Sequence, residues 1–162
     1  MTFTPPSTFF RAIARDQRGT SFIELALLMP FLLVMLLGSI DASRMIAARM
    51  DLEQAAQRTT DFALSSRPTS SDTSYLVDEA VAASGLDAQH VTVELYLECN
   101  DVKIGDFDAG CPGGQKRARY VKVKIADAID PFFNWGSLGA FLGTDAFDGV
   151  LTVEGDSTVR FQ

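Results

Sequence analysis

The hydrophobic pattern changes twice along the chain. From Thr20 to Ile40 almost every position is apolar, and Glu24 is the one charge. No side of this run is reserved for water, so it does not read as an amphipathic surface helix. At about 20 apolar residues it has the length a hydrocarbon core demands of a spanning helix. From residue 41 a polar side emerges. Met45, Ala48, Leu52, Ala55, Thr59 and Phe62 recur at steps of three and four, with Asp41, Arg44, Asp51, Gln54, Arg58 and Asp61 on the other side. No Gly or Pro interrupts residues 39–67. One helix is therefore expected from Thr20 to Ser65, roughly 69 Å long at 1.5 Å per residue. Arg49 and Glu53, four apart, can pair on it. Small residues on the stripe, Ala48 and Ala55, admit close approach by the chain's own sheet or by another subunit.

Beyond residue 65 the pattern is that of a small mixed domain. Ser65–Ser71 with Pro68 is a loop by composition. Asp72 or Ser71 can cap a short helix through Ser84, with Leu76, Val77, Ala80 and Val81 on one face and Gly85 as its left-handed stop. Period-two alternation then marks strands. Val91, Val93, Leu95 and Leu97 face one way in Val91–Glu98, and Val121, Val123 and Ile125 do so in Arg119–Ala126. Antiparallel pairing would place Glu94 and Glu98 on the same polar face as Lys122 and Lys124. Residues 150–153 and 157–161 form a last strand with Gly155 as an expected bulge. Residues 127–148 read as a long connection rich in Gly and aromatics, including Phe132, Phe133, Trp135 and Phe141. Such a segment covers a core edge or forms a partner-binding patch. The expected fold class is α+β: a long N-terminal membrane helix continuing into a small extracytoplasmic domain, with a short helix and an antiparallel sheet of three or more strands.

Charge orients this arrangement. Residues 1–19 carry Arg11, Arg15 and Arg18 against Asp16, a net of +2, which leaves −9 on residues 20–162 of a chain whose total is −7. Basic residues flanking a spanning helix stay in the cytoplasm. Arg44 and Arg49 follow the helix but are fewer, mixed with Asp41 and Asp51, and attached to a translocated domain. The N-terminus is therefore expected inside and the body outside. A secretory signal peptide is the competing reading, but its apolar core is about 7–15 residues long and ends at a small-residue cut site. This run is longer and contains Glu24 and Pro30. The acidic body argues against nucleic acid, which needs a basic face.

Glu24 and Pro30 are the anomalies within the run. An acid inside a spanning helix costs about 2.5–3.5 kcal/mol on insertion scales; Glu24 either reaches interfacial water or has a partner. Pro30 should kink the helix near Met29–Pro30, as a tolerated bend or as a hinge.

Arg18-Gly19, Glu24, Ala26-Leu27, Pro30, Leu33 and Gly38 resemble the TadE-like minor pilins, or pseudopilins, of the tight-adherence (Flp-type) pilus system. The chain exceeds the length of major Flp pilins, and Leu25 stands where many family members carry an aromatic. The resemblance implies a pilin-like fold over nearly the whole chain: a cytoplasmic leader 1–19, a transmembrane helix 20–40, an extracytoplasmic helix extension 41–66 and a small α+β domain 67–162. It implies cleavage by a prepilin peptidase between Gly19 and Thr20. The new amine at Thr20 of a neighbouring subunit could then meet Glu24, giving Glu24 a subunit-docking role. Implied partners are other minor pilins, the major Flp pilin, the prepilin peptidase, the inner-membrane assembly platform and the lipid bilayer. Implied location is the inner membrane with the C-terminal domain periplasmic, and the cell surface where a pilus is built. The alternative is an unprocessed single-pass envelope protein whose outer domain binds a protein partner.

Cys99 and Cys111 lie in the part assigned to the oxidising side and read as a disulfide. Their spacing is not that of a redox CxxC pair, and two thiols without nearby His make a poor zinc site. Asn100, Asp101, Asp106 and Asp108 crowd the intervening loop without the spacing of a calcium hand, so a solvated acidic loop is the simpler reading. His90 precedes a strand and reads as an exposed turn residue. No phosphate-binding glycine motif is present. No catalytic residue, metal or cofactor is expected, and the chain does not read as an enzyme.

Overall fold

A computed structural model describes residues 20–144 and 150–162. The leader 1–19, with Gly19, lies outside the described residues, as do residues 145–149 of the aromatic connection. The chain divides between Ile40 and Asp41 into two units.

Helix α1 spans Thr20–Ser65, and Pro30 lies inside it without ending it. In the first unit every side chain from Phe22 to Leu36 is exposed. The helix is long and apolar enough to cross a membrane. A run of Leu, Phe and Met exposed on all sides is a helix built for an apolar solvent.

The second unit is an antiparallel sheet covered by helices. Its elements are the C-terminal part of α1, α2 (Ser74–Ser84), a 3-10 turn (Ala88–His90), β1 (Val91–Cys99), β2 (Val102–Ile104), β3 (Arg117–Ile129), α3 (Trp135–Leu142) and β4 (Leu151–Arg160). The strand order is β2-β1-β3-β4. The expected alternation sets the register: Val93 lies opposite Val123 and Leu95 opposite Val121. Leu95, Val121, Val123 and Ile125 join Leu52, Ala55 and Ala56 of α1 and Leu76 and Ala80 of α2 in one core. The stripe on α1 therefore packs on the chain's own domain. Thr59, wholly buried within it, satisfies its hydroxyl on the Ala55 carbonyl at 2.9 Å. Arg49 and Glu53 pair at 2.9 Å as expected, and Arg58 reaches across to Glu79 of α2 at 3.0 Å.

Several local expectations are corrected. Gly155 is not a bulge: the β3–β4 pairing keeps step through Lys124–Asp156, Ile125–Gly155 and Ala126–Glu154. Its role is close approach. A Cβ there would overlap the backbone of Leu52 and Glu53 and stand 2.7 Å from the Leu52 Cβ. The missing side chain lets α1 settle directly on β4. The sheet, expected to have three or more strands, has four; the one without its own sequence period is β2, formed by a two-residue hairpin in which Asn100 (φ 48°) and Asp101 (φ 65°) both take left-handed backbone. Asn and Asp tolerate that region better than other side chains, and a two-residue turn of this hand matches strand twist. The cap of α2 is Thr73; Asp72 instead accepts the Ser74 amide at 3.0 Å, and Gly85 (φ 72°) ends the helix. The aromatic connection contains α3. Asn134 accepts the Ser137 amide at its start, and Gly143 (φ 72°) closes it.

Candidate functional site

Among the described residues, three places stand out for their polar chemistry. The first is the start of α1. The structure places the Thr20 backbone one helical turn before Glu24, and Glu24 is exposed on an otherwise apolar rod. A carboxylate surrounded by hydrocarbon requires a counter-charge or a route to water. Gly19, the other half of the expected processing site, lies outside the described residues.

The second is Asp41, which the sequence assigns to the polar side of α1. The structure instead buries it, at 5% exposure. Its carboxylate accepts the Phe132 amide at 2.6 Å, the Trp135 indole Nε1 at 2.7 Å and the Phe133 amide at 3.2 Å. Arg44 stands 3.8 Å away, one turn along the helix. Burial pushes the Asp41 carboxyl pKa upward. The three N–H donors, with Arg44 in support, outweigh that and hold it below the ordinary aspartate value. The rings of Phe133 and Trp135 meet edge-on at 5.0 Å, which stiffens the turn that Asp41 holds. Phe132 and Phe141, by contrast, are 67% and 86% exposed.

The third is the Cys99–Cys111 loop. The two cysteines are disulfide-bonded, with Cα atoms 5.7 Å apart. Phe107 enters the core from this loop and packs against Phe161 at 6.0 Å, with the Arg119 guanidinium 4.7 Å over its ring. Oxygen atoms of the loop accept backbone amides inside and outside it: Asp106 accepts the Asp108 amide and Asn100 the Lys116 amide, both at 3.0 Å. Asp108 accepts the Ser71 amide at 3.3 Å. Among the described residues no group of three or more His, Cys, Asp or Glu is arranged to hold a metal ion.

The outer face of the sheet carries two ion pairs. Glu94 lies opposite Lys122 in register but pairs with Lys103, and Lys124 pairs with Glu154 at 2.9 Å. Tyr96 and Tyr120 stack at 5.1 Å, with Lys103 4.3 Å above Tyr96. Desolvation, then Glu98, raises the pKa of both phenols. His90 is half-buried rather than an exposed turn residue, and its Nδ1 lies 2.9 Å from the Ala126 carbonyl.

The fold is thus a small α+β domain on one N-terminal helix of membrane-anchor length and composition. Residues 19–61 match the family model described as TadE-like protein. That stretch carries Glu24, Pro30 and Gly38 and ends within α1, so the match does not reach the sheet. No curated protein and no solved structure matches the chain.

Proposed function

We propose that the protein is a TadE-like minor pilin or pseudopilin that takes part in assembling a Tad-type pilus, as a priming, tip or base component. The observation that carries this reading is the family match over residues 19–61, which begins at the glycine where processing is expected and contains Glu24 five residues on. In this reading a prepilin peptidase cuts after Gly19, where the lack of a side chain leaves the backbone accessible. The cut creates a positive amine at Thr20. Glu24 of one subunit then receives the Thr20 amine of another. In an apolar surrounding, each charge left alone would carry its full desolvation penalty, so the pair sets subunit register. Pro30 would bend α1 between this contact and the outer domain. The helix anchors the protein in the inner membrane with residues 41–162 on the periplasmic side. Other minor pilins, the major Flp pilin and the inner-membrane assembly platform are the partners this reading requires.

The test is the N-terminal sequence of protein recovered from membranes and from sheared fibres. The expected first residue is Thr20; a functional pilus containing chains that retain residues 1–19 overturns the proposal. Glu24→Ala is expected to insert normally and to impair assembly. Unimpaired assembly would remove the docking role of Glu24 while leaving processing intact. A mobility shift on a gel that depends on the prepilin peptidase separates this reading from that of an unprocessed single-pass protein.

A further inference from the structure

We infer that the segment Phe132–Phe141 seats the domain on the membrane, its uncharged aromatic turn and α3 lying in the headgroup region of the bilayer. The first observation is the Asp41 cluster. Asp41 is the residue immediately after the apolar run that ends at Ile40, and its carboxylate holds the Phe132 and Phe133 amides and the Trp135 indole. The aromatic turn is therefore fixed within hydrogen-bond reach of the point where the chain leaves the apolar run.

The second observation is what the segment presents. Phe132 and Phe141 are 67% and 86% exposed, and residues 131–144 contain no charged side chain. Two largely exposed aromatic rings at either end of an uncharged stretch make this segment a candidate contact surface. The lipid–water interface is where such rings belong, because Trp and Phe are amphipathic or apolar enough to enter it while a capped helix keeps its backbone bonded. Asn134 and Gly143 provide those caps. Asp41 follows Ile40 directly in the chain, and its hold on Phe132, Phe133 and Trp135 favours lipid over a second copy of the chain as the occupant.

The inference rests on residues 22–40 being in the bilayer, so the experiment reads both. The full chain, in phosphatidylcholine vesicles, would carry a nitroxide on Phe141→Cys, on Leu32→Cys or on Thr69→Cys, attached without reducing the native disulfide. Expected is a label at 141 that collides with oxygen and is shielded from a water-soluble nickel chelate, as at 32 but shallower. The label at 69, on an exposed loop, shows the reverse. Shielding at 32 with free nickel access at 141 overturns the inference alone; nickel access at both positions overturns the anchoring reading and the inference with it. Shielding at 141 that rises with protein-to-lipid ratio assigns the surface to a second copy and also overturns it. A label-free arm uses Trp135, the one tryptophan of the chain. Its emission should be quenched more by lipid brominated near the headgroup than near the chain end. Absence of quenching by either lipid counts against the inference.

Discussion

Asp41 and Trp135 lie 94 residues apart and are joined by a hydrogen bond of 2.7 Å from the indole Nε1 to the carboxylate. The same carboxylate holds two successive backbone amides, so one side chain on α1 positions the whole turn that leads into α3. The bond is charge-assisted, with the acceptor withdrawn from water. Removing such an acceptor leaves its donors unpaired, which is worse than never having had the bond.

Asp41→Ala is accordingly expected to release the aromatic turn while the sheet stays folded, because Val121, Val123 and Leu95 do not depend on it. Trp135 emission should shift to the red and become more accessible to acrylamide, with the far-ultraviolet signal of the strands unchanged. Asp41→Asn should fall between, since its amide nitrogen turns a donor toward donors. Unaltered Trp135 emission in both variants would show that the turn holds itself.

The same contact should respond to pH in one direction. The folded pKa of Asp41 is lowered from the ordinary 3.8, so its contribution is complete above that value and is lost as pH falls through the depressed folded pKa. Trp135 emission should therefore be flat from neutral pH down to the ordinary aspartate range and change only below it. A transition near pH 5 or above, where Asp41 is still ionised, would assign the turn's stability to another group.

Gly155 gives a steric prediction with an internal control. The atoms a Cβ would meet belong largely to the backbone of Leu52 and Glu53, which cannot rotate away. Gly155→Ala should lower the unfolding free energy by about 1–3 kcal/mol or more, the usual cost of overpacking. At Gly110 a Cβ would meet nothing within 4 Å, so Gly110→Ala should be near neutral. Equal effects in urea unfolding would refute the close-approach account.

The features legible in the sequence are those with a local signal. The stripe of α1, the alternation of β1 and β3, the Gly85 stop and the Arg49–Glu53 pair each follow from residues within one or two turns of each other. Asp41 was illegible because its donors arrive from 91 to 94 residues away; locally it is one more acid on a polar side. Strand β2 has three residues, too few to show a period, and its one signal is the Asn100-Asp101 dipeptide that forms the turn. Helix α3 holds Gly136 and Gly139 within eight residues, so propensity argued for a loop, and its caps and the Asp41 contact override that. The purpose of Gly155 depends on where α1 lands, which no window of β4 contains. Glu24 stood out as a lone charge, and the chain holds the reason for noticing it but not the subunit proposed to answer it.

The disulfide should matter more to the domain's C-terminal end than its own position suggests. Cys99 ends β1 and Cys111 closes the loop that delivers Phe107, 2% exposed, against Phe161 just beyond β4. Closing a loop of this size stabilises by roughly 3 kcal/mol in the chain-entropy model. That is a large share of the stability of a domain this small. A Cys99→Ala/Cys111→Ala protein is expected to lose about 2–4 kcal/mol in urea unfolding. Its amide exchange should quicken at Phe161, whose N–H bonds the Arg119 carbonyl at 3.1 Å. The register of β1 with β3 is carried by Leu95, Val121 and Val123 and should keep its protection. If protection falls uniformly across all strands, the bond supports the whole sheet; if Phe161 alone is affected, its work is to hold Phe107 in place. Unchanged stability in the doubly substituted protein would mean that Phe107 and the Asn100-Asp101 hairpin hold the loop without the bond.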